Sequence, residues 1–165
     1  MSLCLHDHHE GLHPVHSAND VLSRLDDIEQ FCQQQGLRLT TLRKQVLQMI
    51  LQADGPIGAY DLLAGLDTEG GRRAAPPTVY RSLDFLLDQG FIHRLSSINA
   101  YIPCCHPREG HQAAFLICQN CQQVQETSAA SLIQALADLA AAGDFVPKQT
   151  SIEISGLCGR CRNEQ

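Results

Sequence analysis

Two C-x-x-C pairs, Cys118 with Cys121 and Cys158 with Cys161, constrain this chain more than any other feature of its sequence. Thirty-six residues separate the pairs, and each pair follows a segment whose pattern predicts a β-strand. Two intervening residues let both thiolates of a pair reach one ion from a tight turn, and two pairs supply the tetrahedral sulfur ligands of structural zinc. The pattern therefore predicts a fold that brings the pairs together around a structural zinc ion.

Eight cysteines in 165 residues would also suit the disulfide framework of a small secreted domain. The first 30 residues, however, contain one basic residue, Arg24, and no apolar segment of the kind found in signal peptides. Asp138 interrupts the most apolar stretch, so we expect no membrane-spanning helix. We therefore expect a cytoplasmic protein whose paired cysteines bind metal. A redox switch that operates through these thiols stays open as an alternative.

The order of elements in the first part of the chain is typical of a winged helix-turn-helix. Helices are predicted from Asn19 to before Gly36, from a cap at Thr40 or Thr41 to Ala53, from Ala59 to Leu66 and from Pro76 to a cap at Gly90, and strands at 91–97 and 100–103. A turn is expected between the second and third helices, and an exposed linker at 68–75. The fourth helix has a predicted buried stripe of Val79, Leu83, Leu86 and Leu87, which leaves Tyr80, Arg81, Asp84 and Asp88 outside.

The second part of the chain predicts a small α/β unit. Strands are predicted at 113–118, 123–126 and 151–155, and a helix at 128–142 whose apolar residues favour the core or a dimer seam. The fold class is thus α+β. The predicted domains are a flexible histidine-rich tail (1–18), a winged-helix DNA-binding domain (19–103), a hinge loop (104–112) and a zinc-binding domain (113–165).

The charge distribution bears on nucleic-acid binding. The net charge of −6 argues against an indiscriminate nucleic-acid binder, yet residues 36–95, with seven bases and six acids, are the least acidic part. Arg81 can read guanine, and Tyr80 can rest against a thymine methyl or bond a phosphate. The alternative is that Arg81 pairs with Asp84 or Asp88 on a solvated helix face. Further phosphate-contact candidates are Tyr60, Arg38, Arg43, Lys44, Arg72 and Arg73.

A second group of possible ligands comes from both halves of the chain: His93, Cys104, His111 and Glu126. Such a mixed set suits a zinc ion that exchanges more readily than one held by four thiolates, because histidines must be neutral to bind. Spacing alone does not establish this site, since each residue could be an ordinary polar group. A zinc hydrolase or deaminase, with Glu126 as general base, is a remote alternative.

These motifs resemble the ferric uptake regulator family of bacterial metal-sensing repressors over roughly residues 19–162. The matching stretches are Arg38-Leu-Thr-Thr-Leu-Arg43, Pro77-Thr-Val-Tyr-Arg-Ser-Leu83 and the two C-x-x-C pairs. Within the family, the sequence is most similar to the zinc-sensing members. The stretches that carry this more specific resemblance are Ala59-Tyr-Asp-Leu-Leu63, Pro76-Pro-Thr-Val-Tyr-Arg81 and Asp84-Phe-Leu-Leu87. Iron-sensing members have histidines where this chain has Ala113-Ala-Phe-Leu-Ile117, which argues against the iron and peroxide branches. Another metal or redox sensor of the family stays open as an alternative.

The resemblance implies a winged helix followed by an α/β dimerisation domain. It implies two Zn²⁺ per monomer: a structural ion on Cys118, Cys121, Cys158 and Cys161, and a regulatory ion on His93, Cys104, His111 and Glu126. It also implies DNA contacts by Tyr60, Thr78, Tyr80, Arg81 and Arg43. The expected function is that of a repressor, not an enzyme, which binds double-stranded operator DNA as a zinc-loaded homodimer, with one or two dimers per operator, and represses zinc-uptake genes.

Overall fold

The computed structural model describes residues 18–68, 72–105, 107, 113–148 and 150–163. The described residues up to Pro107 form one compact unit, and those from Ala113 onwards form another. The predicted tail lies outside the described residues except for Ala18, as does most of the predicted hinge, so these domain boundaries stay predictions. Within the described ranges, no helix has both the length and the apolar character that a membrane span requires.

The N-terminal unit has the predicted order of helices followed by a hairpin. Its elements are α1 (Ala18–Gln34), α2 (Thr41–Gln52), β1 (Ile57–Gly58), α3 (Ala59–Gly65), β2 (Asp67–Thr68), β3 (Arg72–Arg73), α4 (Pro76–Asp88), β4 (Ile92–Leu95) and β5 (Ala100–Pro103). The Thr40 hydroxyl caps α2 by accepting a hydrogen bond from the Arg43 amide. Apolar stripes of the helices meet in one core, which includes Val21, Leu25, Ile28, Val46, Leu47, Ile50, Leu62, Val79, Leu83 and Leu86. This arrangement confirms the winged-helix prediction.

The junction between α4 and β4 is defined by two hydrogen bonds. Gly90 has a φ of +67°, a backbone conformation that glycine adopts readily. Its amide donates to the Leu87 carbonyl, and the Phe91 amide donates to the Leu86 carbonyl, both at 2.9 Å. The buried Phe91 ring then packs edge-on against Phe31 of α1, with 6.0 Å between the ring centroids. The hairpin of β4 and β5, which we call the wing, therefore begins a few residues after α4, and these contacts fix the direction in which the chain enters it.

Three details of the N-terminal unit differ from the prediction. Between the expected turn after α2 and the start of α3 lies β1, which was not predicted; it pairs antiparallel with β5 and gives the wing sheet the order β1-β5-β4. The expected exposed linker at 68–75 includes β3 and the second residue of β2, which pair with each other, and it also includes the buried Ala74. On α4, Ser82 is buried while Leu87 is only partly buried. Ser82 satisfies its hydroxyl by donating to the Thr78 carbonyl at 3.0 Å, which lets a polar residue occupy the inner face.

The C-terminal unit contains β6 (Ala113–Cys118), β7 (Val124–Ser128), α5 (Ala130–Ala142), β8 (Ile152–Gly156) and α6 (Gly159–Asn163). Strand order is β7-β6-β8, with β6 antiparallel to β7 and parallel to β8. The parallel pair needs a crossover connection, which contains α5. No residue of α5 is buried, and Leu132, Leu136 and Leu139 are exposed, so the alternative that this helix belongs to the core is wrong. The short helix α6 was not predicted.

Core packing around α4 generates a first prediction. Leu83 is fully buried, so Leu83→Ala should lower the free energy of unfolding by about 2–5 kcal/mol. Leu22 of α1 is 54% exposed, so the same change there should cost less than about 1 kcal/mol. The chain has no tryptophan, and its three tyrosines all lie in this unit, so urea unfolding followed by tyrosine fluorescence reports on it. Equal losses in the two variants would contradict the assignment of Leu83 to the core.

Candidate functional site

The first C-x-x-C pair lies on a turn that links two paired strands. Cys118 is the last residue of β6, and its amide donates to the Gln123 carbonyl at 2.9 Å. Its carbonyl accepts from the amide of Gln122, whose φ of +58° lets the chain reverse direction. Cys121 lies in the middle of this turn. The turn therefore places two thiols on the same side of the sheet end.

The second pair begins two residues beyond β8. The Gln119 amide donates to the Gly156 carbonyl at 2.8 Å, which continues the parallel pairing past the end of β6. Cys158 then precedes α6 and Cys161 lies within it, and the Arg162 amide donates to the Cys158 carbonyl at 2.9 Å. A helix of five residues is too short to show an amphipathic period, which explains why the sequence pattern did not reveal it.

The structure brings all four cysteines together. Their sulfur atoms lie within 4.8 Å of one another, and those of Cys121 and Cys158 are 3.8 Å apart. A tetrahedral ion with zinc–sulfur bonds of about 2.3 Å separates its sulfur ligands by about 3.8 Å, so the spacing fits zinc. The Cys158 amide also donates to the Cys118 sulfur at 3.4 Å, a bond that favours the thiolate form. The prediction that the two pairs form one cluster is confirmed.

The thiols of this cluster differ in acidity. Hydrogen bonds from the backbone amides of Cys121 and Cys158 lower the pKa of Cys118 to about 6. A hydrogen bond from Asn120 acts to lower the pKa of Cys161, but burial and the neighbouring thiols outweigh it and raise that pKa to about 11. Four thiolates at this spacing repel one another, so a divalent cation is required to hold them all deprotonated at neutral pH. Arg160 adds positive charge beside the cluster, and its hydrogen bond to Cys121 raises the pKa of its guanidinium further.

The second predicted ligand group is described in part. His93 on β4 lies opposite Ile102 of β5, and Cys104 follows β5 directly. The ligand atoms of His93 and Cys104 lie within 4.8 Å of each other, and Cys104 is buried. Glu126 lies on β7 of the C-terminal unit, opposite Phe115. His111 lies outside the described residues, so the wing supplies one nitrogen and one sulfur donor to the predicted set.

Two hydrogen bonds that the sequence did not reveal hold the backbone at Cys104. The Cys104 amide donates to the Phe91 carbonyl at 3.0 Å, and Arg24 of α1 donates through Nη2 to the Cys104 carbonyl. Eighty positions separate Arg24 from Cys104 in the sequence, so no local pattern could have linked them.

The candidate nucleic-acid contacts lie on exposed surface. Tyr60 of α3 is 79% exposed and Tyr80 of α4 is 42% exposed, while Thr78 and Arg81 are also exposed. Among the described residues, Arg81 forms no ion pair with Asp84 or Asp88, and its role as a DNA contact stays a prediction. The guanidinium of Arg81 therefore keeps its donors available on the outer face of α4.

Two other basic candidates already have partners inside the N-terminal unit. The Arg43 guanidinium lies 3.6 Å from the centroid of the Phe85 ring and donates to the Arg38 carbonyl. Lys44 forms an ion pair with Glu29 of α1, with 2.5 Å between nitrogen and oxygen. These contacts join α2 to α4 and to α1. A contact of either side chain with a phosphate would have to compete with them, and Arg43 as a DNA contact stays a prediction.

Comparisons with known proteins match this architecture. The ferric uptake regulator family matches residues 34–155. The chain is 42% identical over 138 residues to the zinc uptake regulation proteins of Escherichia coli (strain K12) and Shigella flexneri, covering 83% of this chain and 80% of each relative. A solved zinc uptake regulator complexed with zinc and DNA is similar with a TM-score of 0.80 and 40% identity, covering 87% of this chain and 96% of that one. The holo form of XcZur is similar with a TM-score of 0.77 and 40% identity, covering 86% of this chain and 98% of that one.

The cysteine cluster generates a second prediction. Cys158→Ser removes one of the four sulfur ligands, so the purified variant should lose one tightly held zinc ion per monomer and melt at a lower temperature. Cys105→Ser is the matched control, because Cys105 is half-buried and lies outside both ligand groups among the described residues. Elemental analysis after gel filtration with a mild chelator gives the zinc content. Equal zinc in Cys158→Ser and wild-type protein would contradict the four-sulfur site.

Proposed function

The chain belongs to the ferric uptake regulator family, and from this premise we propose that it is a zinc-responsive transcriptional repressor. It binds operator DNA as a zinc-loaded homodimer and represses genes for zinc uptake. The observation that carries this function is the combination of the four-cysteine cluster with the exposed residues Tyr80 and Arg81 on α4, in a chain similar to zinc uptake regulators. The protein acts by binding, not by catalysis.

The proposed structural ion is held by Cys118, Cys121, Cys158 and Cys161. This ion stabilises the fold of the C-terminal unit, because few of the described side chains of that unit are buried. The buried ones are Ala114, Phe115, Ile117, Cys118, Val124, Ala129 and Cys161. Binding of structural zinc by small domains is worth about 10 kcal/mol or more, which can replace a missing core. This ion is a permanent part of the fold and does not carry the signal.

The proposed regulatory ion is held by His93, Cys104, His111 and Glu126, which brings the total to two Zn²⁺ per monomer. Its ligand set contains one thiolate, whereas the structural site contains four, and its imidazoles must lose their protons before they bind. Both features favour a weaker site that exchanges its ion and responds to the zinc concentration. His93 lies on β4, the strand that follows α4, and the Cys104 amide donates to the Phe91 carbonyl at the junction between α4 and β4, so the positions of both residues are tied to that of α4.

Recognition of DNA falls to the exposed residues of the winged helix. Tyr60, Tyr80 and Arg81 lie closest to the bases, Thr78 lies in the first turn of α4, and Arg43 contacts the phosphate backbone of the DNA. This is a short list of contacts, and the net charge of −6 gives little nonspecific attraction. A homodimer that combines two half-sites compensates for both limits. The exposed apolar side chains of α5 supply a surface for that dimer, and one or two dimers bind each operator.

The energy required of the switch is modest. Moving an equilibrium from 1:99 to 99:1 takes about 5.5 kcal/mol of differential binding. Zinc binds strongly enough to protein sites that partial coupling of the regulatory ion supplies this amount. When the zinc concentration falls, the regulatory site empties, the two winged helices lose their spacing, and the operator is released.

Loss of a regulatory ligand is the direct test of this function. Duplexes selected from a random-sequence pool by zinc-loaded wild-type protein serve as the operator in a mobility-shift assay. Cys104→Ala should keep the dimer and the structural zinc but lose zinc-dependent binding to these duplexes, because the regulatory site lacks its thiolate. Cys105→Ala controls for loss of the neighbouring thiol. An unchanged zinc response in Cys104→Ala would sink the assignment of the regulatory site.

The reading role of Arg81 gives a separate prediction. A bidentate arginine–guanine contact is worth about 1–3 kcal/mol of discrimination, so Arg81→Ala should weaken binding to the selected duplex by about 5-fold to 150-fold. Binding to an unrelated duplex should change little. Arg162→Ala on α6 is the control, since it removes an exposed arginine of the other unit. Equal weakening on both duplexes would identify Arg81 as a phosphate contact.

A further inference from the structure

Arg24 reaches from α1 to the main chain of a predicted metal ligand. Its Nη2 donates to the Cys104 carbonyl in a half-buried contact within the N-terminal unit. The guanidinium is always charged, and a charged donor makes a stronger hydrogen bond to a carbonyl than a neutral donor does. The predicted contacts of the repressor with zinc and DNA do not include Arg24. It is therefore a residue whose structural role goes beyond the proposed ligands.

The position of Cys104 explains why such a contact matters. β5 ends at Pro103, so Cys104 lies just past the regular strand pairing that holds the wing together. Its amide is held by the Phe91 carbonyl at 3.0 Å, and its carbonyl is held by Arg24. With both peptide groups fixed, the direction of the Cα–Cβ bond is set, and the sulfur can move only by rotation about that bond. The sulfur is thus presented in a restricted set of positions toward His93.

We propose that Arg24 is the positioning residue for Cys104 in the regulatory zinc site and that it couples α1 to metal binding. The inference rests on the proposed function, because it takes Cys104 as a regulatory ligand. Residues that hydrogen-bond to metal ligands typically change metal affinity by about 10-fold to 100-fold when they are replaced. Arg24 contacts the main chain of the ligand, so the lower end of that range is expected.

The same contact ties the metal site to the core of the winged helix. Arg24 lies on α1 between the buried residues Val21 and Leu25, and Phe31 of the same helix packs against Phe91. Phe91 is the residue whose carbonyl holds the Cys104 amide. Coupling is reciprocal, so a contact through which α1 favours metal binding is also one through which the metal stabilises α1. Zinc at the regulatory site should therefore slow amide hydrogen exchange in α1.

The test measures Co²⁺ binding to the full chain with the four-cysteine site already filled by zinc. Arg24→Gln should bind Co²⁺ at the second site about 10-fold more weakly than wild-type protein, as judged by the thiolate-to-cobalt absorption band and by competition with a chelator. Arg24→Lys keeps a charged donor and should recover part of this affinity. Arg94→Gln is the matched control, since Arg94 is a wing arginine that donates to Asn99 at 3.2 Å and not to a ligand.

The outcomes separate the inference from the function on which it rests. Wild-type Co²⁺ affinity in Arg24→Gln would overturn the inference while leaving the repressor function intact. A lower melting temperature of the chelated variant with unchanged Co²⁺ affinity would also overturn it, because Arg24 would then merely stabilise α1. Wild-type protein that binds no second metal ion would overturn the regulatory site itself. Weaker Co²⁺ binding together with loss of the zinc-dependent protection of α1 supports the inference.

Discussion

The parallel pairing of β6 with β8 is the constraint on which the C-terminal unit depends. In this register Cys118 lies opposite Gly156, so Cys158 follows two residues beyond the sheet and meets the first cysteine pair. A shift of one residue would turn every side chain of β8 to the other face and would move Cys158 away from Cys118. The pairing, the crossover through α5 and the turn at Gln122 together bring four thiols within one coordination sphere.

The N-terminal unit depends on a different constraint, the junction at Gly90 and Phe91. The hydrogen bonds that end α4 also set the start of β4, and the Phe91 carbonyl then holds Cys104 at the far end of the hairpin. α4 and the proposed ligands His93 and Cys104 are therefore joined through one buried residue, Phe91. A metal ion bound at these proposed ligands would influence α4 through this packed connection, which is one physical route for coupling between sites.

The sequence predicted the main elements and the chemistry of the cysteine cluster because both have local signatures. Apolar spacing located α1, α2 and α4 and the hairpin, and the C-x-x-C spacing identified four cysteines that the fold brings together. The elements it missed are short: β1, β2 and β3 have two residues each and α6 has five, too few for any period to appear. Ser82 is buried on the inner face of α4, where the pattern predicted Leu87. Its hydroxyl donates a hydrogen bond to the Thr78 carbonyl, and hydropathy does not encode such a bond. The contact between Arg24 and Cys104 is purely tertiary.

The pairing of basic residues shapes how a repressor of this kind would discriminate between DNA sites. Arg43 lies against Phe85 and Lys44 against Glu29, so both basic side chains of α2 have partners within the winged helix with which a phosphate would have to compete. Each phosphate contact adds a salt-dependent and sequence-independent contribution to affinity, and few such contacts mean weak nonspecific binding. Affinity then depends on base contacts made by two correctly spaced copies of α4. A protein whose binding rests on spacing can be switched by a few kcal/mol applied to that spacing, whereas a strongly basic protein would stay on DNA in either state.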